Sequence, residues 1–304
     1  MSQDFLDRFI DDGKIQGWTE RSIEGYRYNI KTFLGFIHKD PIKVDIDDLK
    51  RFLLYLDEDR KVSNTTIEKY MAAISSFYNF LEFEEEITRN PVPRFRNRYL
   101  RNRMKNKDNG DKRQLISVTQ MRDLVNSILD PKDKAVVITL AKTGIRLGEL
   151  VGIDLNDVNW VEQSIKLKPN GKRSNLTVFF DDECGRILRR YGNIRDDLAK
   201  PDEGALFINY YGTRMKKRAI EDMISRYAER IGLHDPNSDN LEKRFTPHCC
   251  RHWFTTHLRR AGMPREYIKE LRGDSRSETM DGYDHIDKEE LRKSYLANIP
   301  KLRI

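Results

Sequence analysis

Three cysteines in 304 residues, Cys184, Cys249 and Cys250, are too few for a disulfide framework, and two of them are sequence neighbours that pair poorly. Reducing surroundings fit that count. No apolar run approaches the ~20 residues needed to cross a bilayer. The opening MSQDFLDRFIDDGK carries acids where a signal or transit peptide would be basic and then apolar. These absences lead us to expect a cytoplasmic protein with no membrane partner. Internal repeats and low-complexity tracts are missing too. Metal-ligand spacing is also poor. His248 and His252 lie four apart with cysteines between them, but adjacent cysteines project about 100° apart on a helix, and no Cys-x-x-Cys or second His/Cys cluster supplies further ligands. Neither a metal nor a cofactor is expected.

What is present points to a globular chain of two domains, with 38% hydrophobic and 35% charged residues. The net charge of +7 and pI near 9.1 favour an anionic partner. That charge is concentrated. Nine basic residues fall between Arg94 and Arg113 against Asp108 and Asp111, a surplus of seven that equals the excess of the whole chain.

Before this basic stretch, apolar residues recur at helical spacing. Ile23, Tyr26, Ile30, Phe33, Leu34 and Ile37 follow a Thr19 cap, and Leu49, Phe52, Leu53 and Leu56 follow Asp45. A further helix through Ile67, Tyr70, Ile74, Phe77 and Leu81 is expected to start at Thr65, whose spacing to Glu68 suits a capping box. With a weaker helix over 3–12, residues 1–88 read as a small helical domain. Two prolines and a glycine amid charge then make 89–114 read as a basic linker. Its Arg94, Arg96, Arg98, Arg101, Arg103 and Lys105, interleaved with Phe95 and Tyr99, suit a strap laid along phosphates. Residues 115–304 mix helices with short strands. SIKLKPNGKRSNLTVFF reads as two strands around a Pro-Asn-Gly turn, ALFIN as a short buried strand, and 218–231 as an amphipathic helix. The fold class expected is mainly α with a small β-sheet.

Three clusters can carry chemistry. In TPHCCRHWFTTHLRRAG (246–262), Thr246 can cap a helix that Pro247 begins, so His248 and Arg251 share a face near its positive end. Cys250, Phe254, Leu258 and Ala261 form an apolar stripe, which makes the cysteines look like packing. In LAKTGIRLGEL (140–150), Gly144 can end one helix and Arg146 open the next, with Glu149 placed to hold its guanidinium. In LRGDSRSETMDGYDH (271–285), small and polar residues lead to Tyr283.

In this order the clusters resemble the tyrosine recombinase family, of the lambda-integrase-like and Xer-like kind. TGIRLGEL looks like the family's first arginine box, HCCRHWFTTHL is similar to its His-x-x-Arg box, and ELRGDSRSETMDGY sits where the family has a Leu-Gly-His stretch leading to the nucleophile. The resemblance spans about 115–290. It implies a site-specific DNA recombinase that cuts and rejoins DNA through a covalent 3′-phosphotyrosine. Tyr283 is the implied nucleophile, Arg146 and Arg251 the phosphate-binding arginines, and His248 their partner. The helical first domain resembles the family's core-binding, SAM-like domain. Double-stranded DNA clamped between two domains is the implied partner, with four protomers on two duplexes and a monomer in solution. Integrating a mobile element or resolving chromosome dimers are both compatible jobs.

Two departures stand out. Asp274 occupies a position where the family has histidine or tryptophan, and a carboxylate there needs a donor such as His248 or a neighbouring arginine. The hairpin lysine is expected at Lys172, with Lys168 as second choice. The chemistry suits the residues: without a metal, protein cations must neutralise charge on non-bridging phosphate oxygens, and arginine forks do so at any working pH. A catalytically silent DNA-binding protein on the same fold is the competing expectation. Whether the tail after Tyr283 docks on its own domain or on a neighbour is open from sequence.

Overall fold

The computed structural model describes residues 2–101, 103, 114–169, 173–238, 240–274 and 286–304. The chain forms two compact units, Met1–Gly110 and Asp111–Ile304.

The first unit is helical: α1 (Ser2–Ile15), α2 (Glu20–Ile37), α3 (Ile46–Leu54), α4 (Asn64–Phe83) and α5 (Val92–Tyr99). Thr19 and Asp45 cap α2 and α3 as the spacing predicts. The cap of α4 is Ser63 rather than Thr65, because the Thr66 amide donates to the Ser63 hydroxyl at 3.3 Å and the helix starts earlier. Aromatic rings fill the core, with Phe9 edge-on to Phe77 at 5.6 Å and Phe33 edge-on to Phe52 at 5.0 Å.

The stretch read as a linker opens with α5, and the reason is local. Buried Asn90 accepts from the Val92 amide at 2.8 Å and donates to Ser75 O at 2.9 Å, so it caps the new helix while tying it to α4. Proline in a first helical turn forfeits no hydrogen bond, so the two prolines start a helix instead of breaking one. Val92, Phe95 and Leu100 then bury in the first unit's core.

The second unit is built around α7 (Pro131–Thr143), preceded by α6 (Val118–Ser127). Every residue of α7 from Ala135 to Thr143 is buried, and a helix buried on all sides belongs in a core. It is followed by α8 (Leu147–Val151), strands β1 (Val158–Asn159), β2 (Ser164–Lys166) and β3 (Thr177–Phe179), and then α9 (Asp182–Leu198), α10 (Lys217–Arg230), α11 (Pro247–Arg260), α12 (Arg265–Arg272) and α13 (Lys288–Asn298). The strands form one antiparallel sheet, β1-β2-β3, in register Val158↔Ile165 and Ile165↔Val178. The expected hairpin is β2 and β3. ALFIN is buried as expected, but it makes only isolated bridges, Asp154↔Ala205 and Ile208↔Arg214, instead of a strand.

The tail folds onto its own unit. Leu291, Tyr295, Ile299 and Leu302 bury in its core, and the Tyr295 hydroxyl donates to Lys142 O at 2.8 Å. Beneath them the fully buried Lys142 ammonium reaches Asp181 (2.8 Å), Glu183 (2.6 Å) and Pro300 O (2.7 Å). Full pairing is what makes a buried ammonium tolerable.

Candidate active site

Helix α7 ends at Gly144 in a left-handed conformation (φ 62°), where a Cβ would stand 2.3 Å from Phe254 Cδ1. Glycine is therefore required at this close approach. The turn delivers Arg146 to the start of α8. There the Arg146 amide donates to Glu149 Oε2 at 2.7 Å and its guanidinium to Oε1 at 3.0 Å, so the glutamate holds the arginine as the sequence suggested.

Arg251 projects from the early part of α11. Its Nη1 donates to Gly144 O at 2.7 Å, and its Nη2 donates to Arg272 O at 2.9 Å and to Asp274 Oδ1 at 3.2 Å. Arg146 Nη2 lies 3.5 Å from the same Asp274 oxygen. Two arginines more than a hundred residues apart thus converge on one point of negative charge. The unexpected carboxylate is accommodated by guanidiniums: Arg272 Nε stands 3.1 Å from its other oxygen.

Two arginines escaped the sequence reading. Arg173, just beyond the hairpin turn, is wholly buried and forms an ion pair with Glu149 at 3.2 Å. It also donates to Leu271 O at 2.6 Å and Arg272 O at 3.0 Å, bracing the hairpin against the end of α12. Gly273 passes so close (φ 59°) that a Cβ would meet Arg173 Cγ at 2.3 Å. Arg272 is the second. Basic residues beside a turn or at a helix end read as surface charge, so the only available signal was their number near the motifs.

Charge and burial set the site's protonation. Burial, and then the charges of Arg146 and Arg272, lower Arg251 to about 10, although Asp274 and Glu149 oppose the shift. It still carries a full positive charge near neutrality. Burial alone would raise the Glu149 carboxyl, but the Arg146 amide and the Arg173 and Arg146 guanidiniums hold it below its ordinary value.

His248 is exposed at the mouth of a cleft of about 680 Å³ that it lines with Arg146, Arg251, Arg218, Arg244 and His234. Cys249 and Cys250 lie in the core, and Cys249 Sγ accepts from the Thr246 amide at 3.3 Å, sharing the cap role expected of Thr246. Lys168 follows β2 and is exposed, but Asp154 (2.6 Å) and Asp157 (3.5 Å) hold its ammonium. Lys172 and Tyr283 lie outside the described residues, as does Lys105.

In the first unit, Arg94, Arg98 and Arg101 are exposed, whereas Arg96 pairs with Glu68 at 2.9 Å and Arg103 with Asp57 at 2.8 Å. Phe95 packs inward and Tyr99 lies against it at 4.9 Å, so Arg94 and Arg98 are displayed from helix α5.

A mainly helical domain that gathers guanidiniums from separate segments around one carboxylate has the makings of a phosphate-holding site. The Phage integrase family model matches residues 113–290, and its N-terminal SAM-like domain model matches 5–85. The chain belongs to the phage integrase family and is a site-specific tyrosine recombinase of the lambda-integrase and Xer type. It is 30% identical to Tyrosine recombinase XerC of Herpetosiphon aurantiacus, covering 93% of this chain and 91% of that one. To Tyrosine recombinase XerC of Thermodesulfovibrio yellowstonii it is 27% identical, covering 98% and 97%. The Tn1549 transposon integrase, solved in complex with circular intermediate DNA, shares the fold with a TM-score of 0.71 at 19% identity, over 95% of this chain and 98% of that one. Among the described residues, no helix is long and apolar enough to cross a membrane.

Proposed function

We propose that the chain cuts and rejoins double-stranded DNA through Tyr283. The observation that carries this reading is the meeting of Arg146 and Arg251 on a single oxygen of Asp274. Forks that hold a carboxylate there suit a phosphate oxygen equally well.

In the proposed reaction the Tyr283 phenol attacks the scissile phosphorus and passes its proton to His248. Arg146 and Arg251 neutralise the non-bridging oxygens, each contributing roughly 3 kcal/mol of transition-state stabilisation. The bond to the 5′ oxygen breaks as Lys172 protonates it, with Lys168 the second choice. The resulting 3′-phosphotyrosine keeps a high-energy bond, so a 5′ hydroxyl of another strand can reverse the step, with neither ATP nor metal consumed. Asp274 orients the arginine forks.

Two rival tyrosines of the domain are poor nucleophiles. Tyr295 is sealed in the core, and burial raises its phenol well above the ordinary value. Tyr267 donates to Glu290 at 3.2 Å, and partial desolvation and that carboxylate raise it too. Arg94, Arg98 and Arg101 are proposed to add phosphate contacts from the first unit, with Lys105 beyond them. Recombination by this chemistry implies a homo-tetramer on two duplexes, assembled from monomers, and serves integration and excision of a mobile element or chromosome dimer resolution.

The test is a duplex nicked beside the cleavage position, incubated with the protein in EDTA. A denaturation-resistant protein-DNA adduct with the wild type, and none with Tyr283→Phe, is the expected result. Equal trapping by both proteins, or an adduct that chelation abolishes, would overturn the reading.

A further inference from the structure

We propose that Arg272 is a third catalytic cation of this site, its guanidinium contacting a non-bridging oxygen of the scissile phosphate while Asp274 holds it among like charges. The proposal rests on the Tyr283 reading and adds a residue that the motif resemblance does not assign.

The first argument is donor commitment. A guanidinium offers five N–H donors. Arg251, with its side chain 4% exposed, already donates to Gly144 O, Arg272 O and Asp274. Arg173 is spent on Glu149 and three carbonyls, those of Asn175, Leu271 and Arg272, with its side chain wholly buried. Arg272 differs. Its Nε lies 3.1 Å from Asp274 Oδ2 as an ion pair without a hydrogen bond, and its side chain is 35% exposed. Among the described residues, no hydrogen bond or ion pair engages its two terminal nitrogens. Its fork is thus less committed than those of Arg251 and Arg173.

The second argument is placement. Arg272 is the last residue of α12, and its carbonyl accepts from both Arg251 and Arg173. Gly273, where a Cβ would collide with Arg173, lets that backbone come close to it. The side chain therefore starts from a point fixed by the arginines whose work it would share. Its charge is felt there: it is one of the groups that lower Arg251.

The third is charge balance. Arg146, Arg173, Arg251 and Arg272 face two carboxylates, Glu149 and Asp274. Among these six groups two positive charges remain, before the Lys172 ammonium is added at the leaving oxygen, to meet the roughly two negative charges of a pentacovalent phosphorus. Asp274 explains how three guanidiniums stand so close: a shared carboxylate offsets their repulsion without filling the open fork of Arg272.

The test is single-turnover adduct formation on the nicked duplex under saturating protein, with DNA affinity measured in parallel, for wild type, Arg272→Leu and Arg272→Lys. The expected result is a rate loss of roughly 100-fold for leucine and a partial recovery for lysine. The dissociation constant should stay within about 3-fold, since an interaction gained in the transition state appears in rate rather than binding. Leucine cleavage within about 3-fold of wild type, or equal losses of rate and affinity, would overturn the proposal. Should the leucine variant unfold, the lysine variant decides alone: it keeps the charge and loses the fork, so a wild-type rate contradicts the proposal. A wild type that forms no adduct would instead remove the Tyr283 reading beneath it.

Discussion

Arg173 and Glu149 form an ion pair at 3.2 Å in which the side chains are 0% and 2% exposed. The pair lies under the arginine cluster and links three segments of the second unit: the hairpin, the start of α8 and the end of α12. It lets Arg146 lean on a carboxylate that remains charged inside the protein.

Removing one partner of a buried pair strands the other charge. Arg173→Met is expected to destabilise the protein by about 3 kcal/mol, measured by urea unfolding of the whole chain. Arg173→Lys should lose less, because it keeps the charge but not both carbonyl bonds.

Asp48 in the first unit provides a pH test. Burial opposes its ionisation, but Lys39, the Asp45 amide and Arg51 outweigh this and bring its pKa from 3.8 to about 2. A folded value below the unfolded one gives stability that is complete above about pH 4 and is lost as pH falls through 2. Asp48→Asn should therefore cost ~1–2 kcal/mol at pH 7, and the difference from wild type should shrink between pH 4 and 2.

DNA affinity should separate exposed from paired arginines. Arg94→Ala and Arg98→Ala should each weaken binding across sequences and reduce the salt slope by about 1. Arg96→Ala and Arg103→Ala should change the slope less, because Glu68 and Asp57 already hold those side chains. Fluorescence anisotropy over a salt series measures both.

The two hairpin lysines should also separate. Asp154 and then Asp157 raise Lys168, which makes its ammonium a weaker proton donor and ties it to carboxylates away from a leaving oxygen. Lys172→Ala is expected to slow adduct formation by roughly 100-fold and Lys168→Ala by only a few-fold, read in the same single-turnover assay.

Much of this was legible in the sequence, because periodicity and motif spacing are local. Arg146, Glu149 and Arg251 could be placed from helix starts and the Gly144 turn, and their convergence follows from the family's arrangement. Helix α5 was not legible as a helix: whether prolines break or begin one depends on a cap, and that cap, Asn90, works through side-chain bonds to a distant helix. Arg173 and Arg272 were hidden for a related reason. Their roles depend on carbonyls and carboxylates brought together only by tertiary packing. The tail was undecided until the Lys142 cluster showed what its carbonyl and amides satisfy within the same unit.

The central claim is that one phenol meets the phosphate held by these arginines. Protease digestion of the trapped adduct, followed by mass spectrometry of the nucleotide-bearing peptide, tests it most directly. The account predicts the nucleotide on Tyr283 alone. A nucleotide on Tyr267, Tyr295 or any other side chain would contradict it.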